Sequence, residues 1–303
     1  VVLTVGWSMF NVNFVPALMT TTTGETRNQA YALTSAVREL GTFAGTLVGG
    51  ILPELFSPWM QQGLDAPGPY RVSLFIGAGL SLGAVIPLLS AEGGRAEPKA
   101  QHSDPRGLAP VLPLLLMALY VFVRHMSWAT CQVFCNPFMD TELHLSPSAI
   151  GAINSAGQIT AMVAMLLLPR LIDRWRTGGI LLGSTVGLGL GLIPIAAFPH
   201  WTTAGITRIS VRVLSAAWIT ALQVFQMELV DEEWRSLAYG AVSMAMGLGF
   251  GSISYTGGQI VAAQGYSRIF WLGAGASTIA ALVITVILKR QSGEKASAGA
   301  DEL

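Results

Sequence analysis

Nine stretches of this chain are each about as long as a lipid bilayer is thick, and each is almost free of charge. A helix rises about 1.5 Å per residue, so crossing the roughly 30 Å hydrocarbon layer takes about 20 apolar residues. Residues 1–20, 29–52, 70–90, 109–134, 148–169, 179–198, 203–227, 236–263 and 268–288 meet that length. None alternates apolar with polar residues as a barrel strand would, and in lipid a lone segment satisfies its backbone only as a helix. LSPSAIG adds a local signature, with Ser146 as N-cap and Pro147 as first helical residue of the fifth span. The expected fold class is therefore all-α, a polytopic membrane protein with about nine transmembrane helices. Charged residues make up only 11% of the chain, against roughly 25% in soluble domains.

The spans divide three and six. Residues 91–108 form a polar, Gly/Pro-rich stretch that reads as a solvated linker, and residues 291–303 form a polar tail that reads as disordered. Residues 1–90 are then a partial N-terminal bundle and residues 109–290 a six-helix C-terminal bundle. If the linker and tail face the cytoplasm, the inner ends hold eleven Lys and Arg residues and the outer ends only Arg71 and Arg268. The positive-inside rule thus places the C-terminus in the cytoplasm, and a plasma (cell inner) membrane is the expected location. The formal net charge of zero gives no reason to expect a nucleic-acid partner. Cys131 and Cys135, four residues apart in an apolar run, read as packing residues.

The chain also repeats itself. At an offset of 208, residues 24–50 and 232–258 agree at nine positions: Glu25, Arg27, Ala30, Tyr31, Ser35, Leu40, Gly41, Gly49 and Gly50. Gly249, Gly257 and Gly258 are the downstream counterparts of the last three glycines. About two or three identities would arise by chance in so Gly- and Ala-rich a chain. YRVSLFIGAGLS from Tyr70 matches YSRIFWLGAGAS from Tyr266, so spans one to three recur as spans seven to nine. Both copies cross in the same direction, which makes them parallel repeats. Spans four to six have no upstream copy, and the simplest account is that about three helices precede Val1 in a complete twelve-helix protein.

With two such bundles the sequence resembles the major facilitator superfamily of secondary transporters, over nearly its whole length. PRLIDRWRTG resembles the second-half copy of the family's loop signature, carried by Asp173, Arg174 and Arg176. RELGTFAGTLVGG resembles the glycine motif of proton-driven exporters, with Gly41, Gly45, Gly49 and Gly50 in place and Thr46 where that motif usually has Pro. The resemblance implies alternating access and no cofactor, with a small-molecule solute, protons and the lipid bilayer as partners and a monomer as the working unit. Glycines spaced by four also serve simple helix packing. Arg27 and Arg235, at the repeated inner loops, read either as solvated positive-inside charges or as an inward gate.

Polar groups deep in lipid are expensive and mark pathways. Arg38 and Glu39 lie about 14 Å into span two at helical rise. In span four, Arg124, Ser127, Trp128 and Cys131 share one face, with His125, Gln132 and Asn136 on the next. His125 is the one residue in the spans whose ordinary titration lies near neutrality. Asn11 and Asn13 in span one, Asn154 and Gln158 in span five, and Gln223 and Gln226 in span seven complete the set. Each alone reads equally as interhelical glue. Together, with aromatic walls from Trp7, Trp128 and Trp218, they outline a pocket for a small sugar- or drug-like solute. The expected activity is secondary transport, with proton-coupled efflux in view. A non-transporting sensor on the same fold and an inactive partial chain stay open. An intramembrane enzyme is disfavoured, since no HExxH helix or paired intramembrane Asp is present.

Overall fold

The computed structural model describes residues 27–90, 110–230 and 234–301. Every regular element among them is a helix, eight in all: α1 (Arg27–Met60), α2 (Pro67–Gly83), α3 (Val85–Ser90), α4 (Val111–Thr141), α5 (Pro147–Ala197), α6 (Trp201–Leu229), α7 (Arg235–Gln264) and α8 (Tyr266–Asp301). The all-α expectation holds. Six stretches among the described residues are long and apolar enough to cross a membrane: Val37–Met60, Val111–Thr141, Arg174–Ala197, Trp201–Gln226, Leu237–Gln264 and Tyr266–Gln291.

The difference from nine has local causes. Span one lies outside the described residues. Span three breaks into α2 and α3 at Ala84 and so falls short of a full crossing as one helix. Spans five and six run on as α5, broken only at Arg176, whose φ of 56° and ψ of 162° are not helical. That left-handed φ disfavours a residue with a Cβ, and the turn falls within RWRTGG, where a loop was expected. Ser146 does cap α5: its hydroxyl accepts from the Ala149 N–H at 3.3 Å, with Pro147 at the first turn. At its far end α8 continues to Asp301, through a polar tail whose Lys, Glu and Ala residues favour helix.

The chain forms two compact units, residues 1–102 and 103–303. In the first, α1 packs against α2. In the second, α5 lies along α6 and α8, while α4 lies along α7 and α8. The repeated segments share their local structure, since residues 27–56 and 235–264 are helical throughout. Many large apolar side chains on the helices are exposed, including Leu190 at 61% and Leu282 at 64%. A helix surface of that kind is solvated by lipid tails rather than water.

Two apolar clusters fill the second unit. One gathers Phe134, Phe138, Leu188, Leu192, Ile269 and Phe270. The other gathers Met117, Tyr120, Leu181, Trp218, Leu222 and Ile284. On α4, α5 and α8 the chain between the two clusters supplies buried polar residues: Arg124 and Ser127, Ser184 and Thr185, and Ser277. The bundle is thus layered along its length, apolar, polar, apolar.

Candidate functional site

That polar layer sits at mid-span. Arg124, Thr185, Arg212 and Ser277 each lie within two residues of the centres of their spans. Helix α6 runs antiparallel to α4, because Arg208 meets Cys131 and Gln132 whereas Trp218, further along, meets Tyr120 and Arg124. Arg212, one turn beyond Arg208, is therefore level with the stretch of α4 between those contacts.

Two polar networks lie at and beside this layer, the first reaching into the Tyr120 cluster and the second level with the Phe134 cluster. In the first, the Trp218 indole N–H donates to the Tyr120 hydroxyl at 2.8 Å, and that hydroxyl also pairs with the Thr185 hydroxyl at 2.8 Å. Ser277 donates to the Thr185 carbonyl at 2.6 Å, tying α8 to α5. The Arg124 guanidinium, fully buried, lies over the Trp218 ring with its carbon 3.8 Å from the centroid. His125 packs beside it, its ring 4.6 Å from that of Trp128 and 6.0 Å from that of Trp218, and Trp128 reaches Phe250 of α7 at 6.0 Å.

The second network centres on Arg208, which is 4% exposed. Its Nε donates to Asn154 Oδ1, and its Nη1 donates to Gln132 Oε1 at 3.0 Å and the Cys131 carbonyl at 3.3 Å. Asn154 in turn donates through Nδ2 to Asn136 Oδ1 at 3.2 Å. One side chain thereby joins α4, α5 and α6. A groove of about 370 Å³ between α5 and α8, lined by residues such as Leu190, Ile193 and Trp271, is mostly apolar; it touches the first network only at Ser277 and lies apart from the Arg208 network.

The sequence-predicted residues separate accordingly. Arg124, His125 and Trp128 come together around Trp218, and Asn154 enters the Arg208 network. Gln158 and Gln226 are buried in the same unit, whereas Gln223 is exposed. Three residues turn a helix through about 300°, so Gln223 and Gln226 lie about 60° apart and straddle the edge of the buried face. Asn11 and Asn13 lie outside the described residues, as do the side chains of Arg27 and Asp173. Arg38 and Glu39 belong to the first unit and face each other at 3.9 Å, with side chains 56% and 32% exposed. Arg174, Arg176 and Arg235 are exposed.

Of the repeated glycines, Gly249 and Gly257 sit where α7 presses on α4. A Cβ on Gly249 would stand 2.6 Å from the Phe122 carbonyl oxygen, and one on Gly257 2.5 Å from the Phe134 ring. Among the described residues a Cβ on Gly41, Gly45, Gly49 or Gly258 would meet nothing within 4 Å, and Gly50 is half-buried.

Sequence reading passed over Arg208, Arg212 and Tyr120. The signal was present: RISVR places two arginines one turn apart within an apolar span.

A lipid-exposed helical bundle with buried arginines at its mid-depth has the build of a membrane protein that handles a polar solute. Residues 117–302 match the sequence pattern of the Major Facilitator Superfamily. The chain belongs to that superfamily and is a membrane transporter. Among solved structures it resembles a bacterial homolog to the human lysosomal transporter Spinster, crystallised in an inward-facing and unoccupied conformation. That likeness has a TM-score of 0.58 at 15% identity, over 90% of this chain and 71% of that one. No curated protein matches.

Proposed function

We propose that the chain is a secondary active transporter that moves a small organic solute by alternating access, with the proton as coupling ion and export as the direction. The observation that carries this reading is the polar layer at mid-span: Arg124, His125 and Trp128 around Trp218, with the Arg208–Asn154–Gln132 network on the neighbouring turns. Transporters bind solute near the bilayer midplane, and intramembrane ionisable residues there mark the pathway. Alternating access further requires that solute or proton bind the two facings with different affinity, since equal affinity shifts no equilibrium. The glycine motif of α1 supports export by its resemblance to the motif of proton-driven exporters. In this reading Arg174, Arg176 and Arg235 act at the inner gate, which their exposure supports, with the C-terminus cytoplasmic, the plasma membrane as location and the monomer as working unit.

The test is flux into proteoliposomes holding the purified protein, with solutes of graded polarity and an imposed pH gradient. Saturable flux that rises with the gradient and collapses when a protonophore is added supports the reading. Flux no greater than in protein-free liposomes for every solute rejects transport, and flux indifferent to the gradient rejects the proton.

A further inference from the structure

Among the described residues, the membrane-spanning stretches of the second unit carry buried positive charge and, apart from the exposed Asp140 at the end of α4, no acidic residue. Arg124, Arg208 and Arg212 all lie within them, yet no Asp or Glu occurs in residues 111–139, 147–169, 174–226 or 237–291. Asp140, the nearest acidic residue along α4, is 16 positions from Arg124, about 24 Å at helical rise, and is exposed at the end of the helix.

The three guanidinium groups are not equivalent. Arg208 is engaged by Asn154, Gln132 and the Cys131 carbonyl. Arg124 is fully buried, and among the described residues its Nε and Nη2 have no hydrogen-bond partner. Those two N–H groups lie along one edge of the guanidinium plane, spaced to donate in parallel to the two oxygens of a carboxylate or phosphate. The Trp218 ring covers the face of the plane, which leaves the edge to be filled. His125 Nδ1 and Ser127 Oγ, on the same turn of α4, are likewise buried without a hydrogen-bond partner among the described residues. Native interiors leave few such atoms unsatisfied, and a buried charge left without hydrogen bonds is the costliest kind.

We infer that the Arg124 edge is the binding site for the anionic group of the transported solute, an organic carboxylate or phosphate ester, with His125 and Ser127 completing the hydrogen bonding around it. The Trp218–Tyr120–Thr185 chain holds the indole that fixes the guanidinium plane, so Trp218 acts as a positioning residue. In the conformation described here the edge is closed from outside. The anion reaches it when the half-buried rings of His125 and Trp128 move aside. This inference rests on the transport reading above and narrows its substrate class to anions.

Binding by the purified full chain in detergent tests it without requiring flux. Benzoate, phenyl phosphate and the neutral isostere benzamide are titrated by calorimetry and by thermal shift at fixed sodium chloride. One or both anions are expected to bind, with the stronger identifying carboxylate or phosphate, and benzamide to bind at least about tenfold more weakly. Arg124→Gln is expected to lower anion affinity at least about tenfold. Arg124→Lys keeps the buried charge but loses the paired donors, and falls between the two. If Arg124→Gln does not fold, the lysine variant alone decides. Equal binding of benzamide and benzoate, no binding of either anion, or unchanged anion affinity in the folded variants would each overturn the inference. Anion binding without flux would uphold the site and remove the transport reading. Gradient-driven flux of neutral solutes without anion binding would do the reverse.

Discussion

Replacing Gly249 by alanine should loosen the bundle, and by an amount that can be worked out. The added Cβ would stand 2.6 Å from the Phe122 carbonyl oxygen, 3.2 Å from His125 Cβ and 3.3 Å from the Met126 nitrogen. Two of these are backbone atoms of α4, so no rotamer change removes the contact. Ordinary van der Waals contact begins near 3.4 Å, and α7 would have to back away from α4 by about 0.8 Å. Overpacking of this kind costs about 1–3 kcal/mol. Alanine in a helix returns up to about 1 kcal/mol relative to glycine. Gly258→Ala isolates that gain, because a Cβ there meets no described atom within 4 Å. At about 2–4 °C per kcal/mol, a 2 kcal/mol difference puts the Gly249→Ala variant about 4–8 °C below Gly258→Ala in detergent thermal melts. Gly257→Ala should fall between them, since the Phe134 ring it would strike can move. Equal melting temperatures for the two outer variants would refute the close approach of α7 and α4.

Asn154→Leu removes the partner of Arg208 Nε and should destabilise by about 2 kcal/mol, whereas Asn154→Asp supplies a counter-charge and should stay within about 1 kcal/mol of the native protein; thermal melts of both variants check the contrast. Trp218→Phe deletes the donor to the Tyr120 hydroxyl and should cost about 1 kcal/mol, with Trp218→Ala costing about 3–5 kcal/mol through the cavity it leaves. Cys131 and Cys135 are both 0% exposed, so a maleimide should label neither in the folded protein and both after denaturation. Rapid labelling of the native protein would contradict the packing of α4.

Helix type and approximate position could be read from hydropathy because backbone satisfaction in lipid leaves one solution for a lone span. The start of α5 at Pro147 was legible from Ser146 and Pro147, whose cap chemistry is local. Turns were less so. Nothing in RWRTGG indicates that one left-handed residue, Arg176, suffices to reverse α5, or that Ala84 divides α2 from α3. For the site, the helical face carrying Arg124 and Ser127 was visible from spacing alone. The partners were not, because Trp218 is 94 positions from Arg124 and only tertiary packing stacks them. Asn154 and Gln132 looked like separate polar residues until Arg208, passed over as one more charge within a span, joined them. The repeat singled out Gly249, Gly257 and Gly258 in α7 but gave no sign of their inequality: Gly257 and Gly258 are neighbours in sequence and face opposite circumstances.

The account turns on solute binding at the mid-span polar layer of the second unit. Counterflow in proteoliposomes measures this most directly, with labelled solute entering vesicles preloaded with the unlabelled compound, for the native protein and for Arg124→Gln side by side. The account predicts saturable counterflow by the native protein and its loss in a folded Arg124→Gln variant. Counterflow of the same rate and apparent affinity in both would contradict it.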